Sequence, residues 1–328
     1  MINFKITVPA TSANIGPGYD IWGLAVNLYN EFEITAPEVS NELEIKPAWD
    51  LKFEYNDLVK KTSGSSTLTL PIDSSSLIKK SYSYIFQKAS LDDYPVSVKV
   101  KVGIPLERGL GSSSTAIIGG LMAANEILRR IYAINYSIEE IFQFACEIEG
   151  HPDNIAPAIY GGLTSAVKSE VSQDYLPAKL EFKPPLNIMG IIPHISLSTK
   201  KARESVPKKV ELQDLIFHSS RCVMLTHLFS KATWEVQDYN LLIESLQDKV
   251  HQDQRAKHIP GMLETFDLWK KTGCLGGYLS GAGTTLLGFW HKGINMEVIT
   301  LNQVFIDNGI GATVIKLEAN FSGTFLES

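Results

Sequence analysis

The chain is poor in several things, and each scarcity narrows what it can be. Of its 328 residues only 3 are cysteine. Cys146, Cys222 and Cys274 are far apart, with no Cys-x-x-Cys pair and no histidine at metal-ligand spacing. A disulfide scaffold and a structural zinc site are excluded; reduced thiols packed in a core of a cytoplasmic protein are expected. No apolar run approaches the ~20 residues that span a bilayer, and Met1 to Ala10 lacks the basic-then-apolar pattern of a signal peptide, so no membrane partner is expected. Neither sign of charge dominates: 30 Lys plus Arg stand against 36 Asp plus Glu, a formal net charge of −6. That balance argues against a nonspecific nucleic-acid binder but allows a local basic pocket. There is no internal repeat, low-complexity tract or heptad run.

What the sequence does hold is an ordinary globular composition, 44% hydrophobic and 20% charged, in a length that suggests two domains with a core each. Residues 2–9 and 24–35 are rich in β-branched and aromatic residues and read as strands flanking a polar, Gly-rich loop. Residues 37–76 are less hydrophobic, and the run TSGSSTLTLPIDSSS (62–76) suggests a hairpin or mobile loop before a helix starting near Leu77. Residues 94–103 alternate as a strand. From Ser114 to Arg130, apolar or small residues recur at helical spacing, and a second helix is expected over 137–149 with a stop at Gly150. Residues 186–197 read as strand, 212–230 and 238–249 as helix, and 277–290 as strand broken by a Gly-rich turn. The domain division is placed near residue 175, in the loop-like VSQDYLPAKLEFKPP segment, giving domains 1–175 and 176–328.

Three glycine-rich segments stand out. Pro105 to Ser114 reads PLERGLGSSS; Gly109 and Gly111 permit a tight turn, and three serines meet a helix start whose free N–H groups suit a phosphate. Alternatively the glycines are only a turn and the serines only caps. It is neither a Walker A loop nor a dinucleotide fingerprint, because the lysine and the third glycine are missing. Pro9 to Gly23, PATSANIGPGYDIWG, places Asn14 and Asp20 in a polar loop that could face a polar substrate or could be an Asx-rich turn. Gly277 to Gly288, GYLSGAGTTLLG, punctuates a strand with Ser280-Gly281-Ala282-Gly283, as a close backbone approach or a bulge would require.

Together and in this order the three segments resemble the motifs of the GHMP small-molecule kinases. Within that superfamily, EGHPDNIAPAIYGG (149–162), TKKAR (199–203) and HQDQRAKHIPG (251–261) resemble the homoserine kinase family. The resemblance implies an α+β fold of two domains, an N-terminal one like ribosomal protein S5 domain 2 and a C-terminal ferredoxin-like one. It implies ATP as phosphoryl donor, Mg²⁺ as cofactor and homoserine as acceptor on the route to threonine; a homodimer is a state it allows.

Phosphoryl transfer asks for alignment and neutralisation of charge rather than covalent help. By the resemblance the ATP-binding residues are Pro105, Arg108, Gly109, Leu110, Gly111, Ser112, Ser113 and Ser114. Ser113 with Glu149 or Glu147 would hold the metal. Arg203 and Arg255 suit the acceptor's carboxylate, because a guanidinium fork matches it. Asp20 would take the ammonium and Asn154 the hydroxyl, with Asn14 in support. Asp153 is a possible base, and Asn154 is the alternative group nearest the hydroxyl; His151 orients their loop. Three positions depart from the usual pattern: Ser76 before Leu77, Thr284 after the third motif, and His218 after Phe217. Competing readings are a kinase of another small alcohol and a non-catalytic nucleotide-binding regulator of the same fold.

Overall fold

The computed structural model describes residues 1–38, 49–63, 70–292 and 301–327. Two sheets organise them. The first contains β1 (Ile2–Ala13), β2 (Trp22–Ala36), β3 (Trp49–Tyr55), β4 (Val96–Val102), β5 (Leu163–Lys168) and β6 (Tyr175–Leu180), joined at one edge by the C-terminal β11 (Phe325–Glu327). Its strand path is β11-β1-β2-β4-β3, with β5 pairing the first residues of β2 and β6 pairing β5. In β4 the alternation VSVKVKV turns Val96, Val98, Val100 and Val102 inward. They meet α2 (Leu77–Lys88), α3 (Ser112–Tyr132), α4 (Ile138–Glu149) and α5 (Ile155–Tyr160) in one core cluster. Ile117, Ile118, Leu121, Ile127 and Leu128 of α3 are all fully buried, each contributing about 2 kcal/mol; the helical periodicity thus marked the correct face.

The second sheet is antiparallel, with β7 (Leu186–Pro193), β8 (Cys274–Leu279), β9 (Leu286–His291) and β10 (Ala312–Leu317) in the order β10-β7-β9-β8. That order, fourth strand beside first, first beside third, third beside second, is the ferredoxin-like arrangement. Between β7 and β8 run α6 (Thr199–Glu204), α7 (Leu212–Ser230), α8 (Val236–Ser245), α9 (Gln252–Ala256) and α10 (Met262–Lys271); α11 (Gln303–Asp307) precedes β10. One hydrophobic cluster spans both units, packing Ile15, Trp22 and Leu110 with Phe229, Tyr278 and Phe289. The two units are therefore joined by a shared apolar core.

The structure redraws parts of this reading. β1 does not end at Pro9: after an irregularity between Pro9 and Ala10 it pairs again with β2 to Ala13, so half of the first glycine-rich segment is buried strand. The 37–76 stretch, read only as less hydrophobic, holds β3, which pairs parallel with β4 across the intervening α1 (Asp57–Thr62) and α2; of the 62–76 run expected as a hairpin or mobile loop, residues 70–76 carry no strand. The tip of the loop expected there, 64–69, lies outside the described residues. Residue 175 opens β6, which belongs to the first sheet, and β11 returns to that sheet from the chain's end. The first sheet thus draws strands from both sides of the expected division. No helix among the described residues is long and apolar enough to cross a membrane.

Candidate active site

A cleft of about 410 Å³ lies between the units, lined from both and within the ordinary range for small-molecule sites. One end is made of backbone. The loop after β4 is held at its entry by Asn30, whose Oδ1 accepts from the N–H groups of Gly103 (3.0 Å) and Ile104 (3.2 Å) while its Nδ2 donates to Thr115 Oγ1 (2.8 Å). Further on, Gly109 and Gly111 have φ of 72° and 71°, a region where a side chain is strained. Space forbids one as well. A Cβ on Gly109 would lie 2.0 Å from the Ser280 carbonyl oxygen, and one on Gly111 would lie 2.0 Å from Thr11 Oγ1.

These near contacts show how the three glycine-rich segments work together. Thr11 N–H donates to Leu110 O (3.2 Å), Ser280 Oγ donates to Gly109 O (2.7 Å), and Gly281 N–H donates to Ala13 O (2.8 Å). The first and third segments are braces for the second, which accounts for Ser280-Gly281-Ala282-Gly283 more fully than an isolated bulge does. α3 begins after Gly111 with no side-chain cap, leaving its first amides open to the cleft. The serines are not caps either: Ser113 Oγ donates to Glu149 Oε2 (2.8 Å) and Ser114 Oγ to Glu149 Oε1 (3.2 Å).

Glu149 reaches that position because α4 stops there, at Gly150 with φ of 88°. Glu147 does not share the site. Its carboxylate accepts from Tyr84 Oη and pairs with Lys88 at 3.4 Å outside the cleft. Two residues expected at the phosphates are also placed otherwise. The buried Arg108 guanidinium donates to the carbonyls of Pro193 (3.2 Å), Leu106 (3.0 Å) and Thr62 (2.9 Å), so it ties the units together, although the residue also lines the cleft. Pro105 is buried and does not line it. Leu110, Ser112, Ser113 and Ser114 do.

The other end is made of charged side chains. Arg203 on α6 forms a bidentate pair with Asp20, at 2.9 and 3.1 Å. Asp20 is set by Asn14, whose Oδ1 accepts from the Asp20 N–H (2.8 Å) and whose Nδ2 donates to Gly281 O (2.9 Å). Arg255 on α9 is 2% exposed; its Nε donates to Ala202 O (3.3 Å) and its Nη1 to Gly281 O (2.8 Å). Its Nη2 is the guanidinium nitrogen those bonds leave over, so the expected full fork is reduced to one side. Burial drives the Asp20 carboxyl upward from its ordinary value, with the Asp153 charge adding and Arg203 opposing.

Between the two ends, in the turn before α5, His151 Nδ1 lies 2.6 Å from Asp153 Oδ1, and Asn154 Nδ2 donates to the same oxygen (3.3 Å). Asn154 Oδ1 accepts from Thr11 (2.7 Å). Burial opposes the charge on His151, but the hydrogen bond to Asp153 and the charges of Asp153 and Glu149 outweigh it, and its pKa is raised. The departures from the family pattern keep a structural purpose. His218 Nδ1 donates to Pro17 O (3.1 Å) while its Nε2 accepts from Lys249 N–H (3.1 Å), and Thr284 Oγ1 donates to Ile195 O (2.9 Å). Ser76 lines the cleft beside Phe53, Leu77 and Val100, an apolar wall suited to a flat base. Sequence reasoning missed Asn30, Tyr19 and His251; only Asn30, an amide inside an apolar strand, carried a local signal.

An anion cradle facing a pocket of both charge signs is the layout of a small-molecule kinase, and the comparisons define that class. Residues 76–162 match the family model described as GHMP kinases N terminal domain, and residues 232–293 that of GHMP kinases C terminal. The fold is shared with the crystal structure of homoserine kinase from Cytophaga hutchinsonii at a TM-score of 0.78 and 24% identity, covering 99% of this chain and 97% of that one. A mevalonate kinase structure matches at a TM-score of 0.61 and 14% identity, covering 96% and 99%. More particularly, the chain is 37% identical to a homoserine kinase of Clostridium beijerinckii, over 95% of its own length and 98% of the relative's. It is 35% identical to one of Clostridium botulinum, with 98% of each covered. The chain belongs to the homoserine kinase family and is a phosphotransferase of the GHMP fold.

Proposed function

We propose that the chain transfers the γ-phosphoryl group of ATP to the side-chain hydroxyl of homoserine, giving O-phosphohomoserine for threonine synthesis. The observation that carries this reading is the convergence of Asp20, Arg203 and Arg255 at one end of a cleft whose other end is the open N-terminus of α3. A zwitterion matches the first end: its ammonium faces Asp20, and its carboxylate faces Arg203 and the spare Nη2 of Arg255. Triphosphate oxygens match the second. The apolar wall at Phe53 and Val100 would take the adenine.

Ser113 and Glu149 offer oxygen donors only, and among the described residues no cluster of three His, Cys, Asp or Glu side chains could cage a metal. Such a donor set fits Mg²⁺, which keeps waters and substrate phosphates as its remaining ligands. When bound it would neutralise charge on the phosphates. Asn154, held by Thr11 and Asp153, orients the acceptor hydroxyl. This reading sends the hydroxyl proton to a phosphoryl oxygen and has Asp153, bonded through Oδ1 to His151 and Asn154, hold the loop. The buried Cys146 and Cys274, whose thiols burial pushes upward, accord with a reducing cytoplasm. Light scattering would distinguish a monomer from the homodimer that the resemblance allows.

The test is a substrate panel with Mg-ATP. Homoserine should be consumed much faster than serine, threonine, mevalonate or galactose; turnover of another alcohol in its place would redirect the assignment, and ATP binding without any turnover would favour a regulator.

A further inference from the structure

We propose that Tyr19 is the positioning residue that sets the spacing of the two substrate-facing arginines. It does not itself line the cleft. Its half-buried ring sits behind them: the guanidinium carbon of Arg255 lies 5.1 Å from the ring centroid and that of Arg203 lies 5.9 Å from it. Both distances fall within the reach of a cation–π contact.

Two guanidinium groups that converge on one carboxylate repel each other before it arrives. Asp20 pairs directly with Arg203, while Arg255 is bonded to the carbonyl oxygens of Ala202 and Gly281 and lies near His251 Nδ1, feeling Asp20 and Asp153 only through space. An aromatic face shared by both cations attracts each of them and fixes the angle between them, which an aliphatic side chain of similar size cannot do. His251 completes the arrangement. Its ring centroid is 5.4 Å from that of Tyr19, its Nε2 donates to Gly16 O (2.9 Å), and its Nδ1 lies 3.5 Å from Arg255 Nη1. Burial above all, reinforced by the Arg255 charge, holds this histidine neutral against the pull of Asp248. It therefore braces the tyrosine ring without adding a third cation to it.

Tyr19 works through the arginines, so its removal should be felt by the acceptor and not by the nucleotide. This inference rests on homoserine being the acceptor. In steady-state kinetics, Tyr19→Leu should raise KM for homoserine about 10-fold, equal to about 1.4 kcal/mol, with KM for ATP changed less than about twofold. Tyr19→Phe, which keeps the ring face, should restore the homoserine KM to within about twofold of wild type. The assignment is overturned by a leucine variant with an unchanged homoserine KM, by equal rises in both KM values, or by a phenylalanine variant as impaired as leucine. Should Tyr19→Leu fail to fold, Tyr19→Met replaces it under the same criteria. A wild-type protein that does not phosphorylate homoserine defeats the substrate reading and takes this inference with it. An active wild type with an unaffected leucine variant defeats this inference alone.

Discussion

The two ends of the cleft are built on different principles. The proposed phosphate end uses backbone: amides of α3, a loop whose two left-handed glycines touch neighbouring segments, and a buried Asn30 that fixes the entry. The proposed acceptor end uses side chains carried by three separate stretches, at residues 14–20, 203 and 255, with residues 151–154 at the junction. Backbone sites tolerate change in side-chain chemistry but not in shape, whereas the side-chain site can be retuned one contact at a time. The first should be common to kinases of many alcohols, and the second should choose the alcohol.

The largest break in that comparison should come from shape alone. Gly109→Ala places a methyl group against the Ser280 carbonyl at a positive φ. It should cost about 1–3 kcal/mol of stability and, by displacing the loop, ~100-fold or more in kcat/KM for every acceptor. Thermal melts and kinetics on two alcohols would check both. A smaller effect separates the two glutamates. Glu149→Gln should raise the Mg²⁺ concentration needed for half-maximal rate ~10-fold or more, and Glu147→Gln, on the outer face with Tyr84 and Lys88, should not move it.

Asp153→Asn sharpens the comparison at the junction of the two ends. With Asp153 as an orienting group, kcat should fall by less than ~10-fold and the pH–rate profile should keep its shape; a general base would cost ~10²–10⁴ and its loss would flatten the acid limb. The smallest effect is on stability against pH. His151 binds its proton more tightly in the folded chain than at its ordinary 6.5. Its contribution is therefore complete below that value and disappears as pH rises through the elevated folded pKa. Melting temperatures from about pH 6 to about pH 9 should show a decline that His151→Gln lacks.

The same division explains what could be read from the sequence. The phosphate loop was legible because glycine and serine next to a strand and a helix carry their geometry locally. Asp20 stood out as a carboxylate in a polar loop, whereas Arg203 and Arg255 were legible only through the family resemblance, since nothing in residues 199–203 or 251–261 alone says that they meet. The bonds that decide between Glu147 and Glu149 follow from the rotation of α4, which its helical period does not fix to one side chain. The direction of the Arg108 side chain was not legible: a guanidinium beside a phosphate loop suggests an anion contact, while tertiary packing turns it onto four carbonyls. Tyr19 and His251 stand inside the segments 9–23 and 251–261 singled out in the sequence, but their contact with the arginines exists only where α9 meets the first loop.

The central claim is that the acceptor end recognises a carboxylate next to an amine, and Arg255 is the residue through which to test it. The measurement is kcat/KM for homoserine and for aminopropanol, its decarboxylated analogue, in the wild type and in Arg255→Ala. The account predicts a wild-type preference for homoserine of ~100-fold or more, as expected for a buried charge pair, which Arg255→Ala erases mainly by lowering the rate with homoserine. Equal losses for both alcohols, with the preference intact, would contradict it.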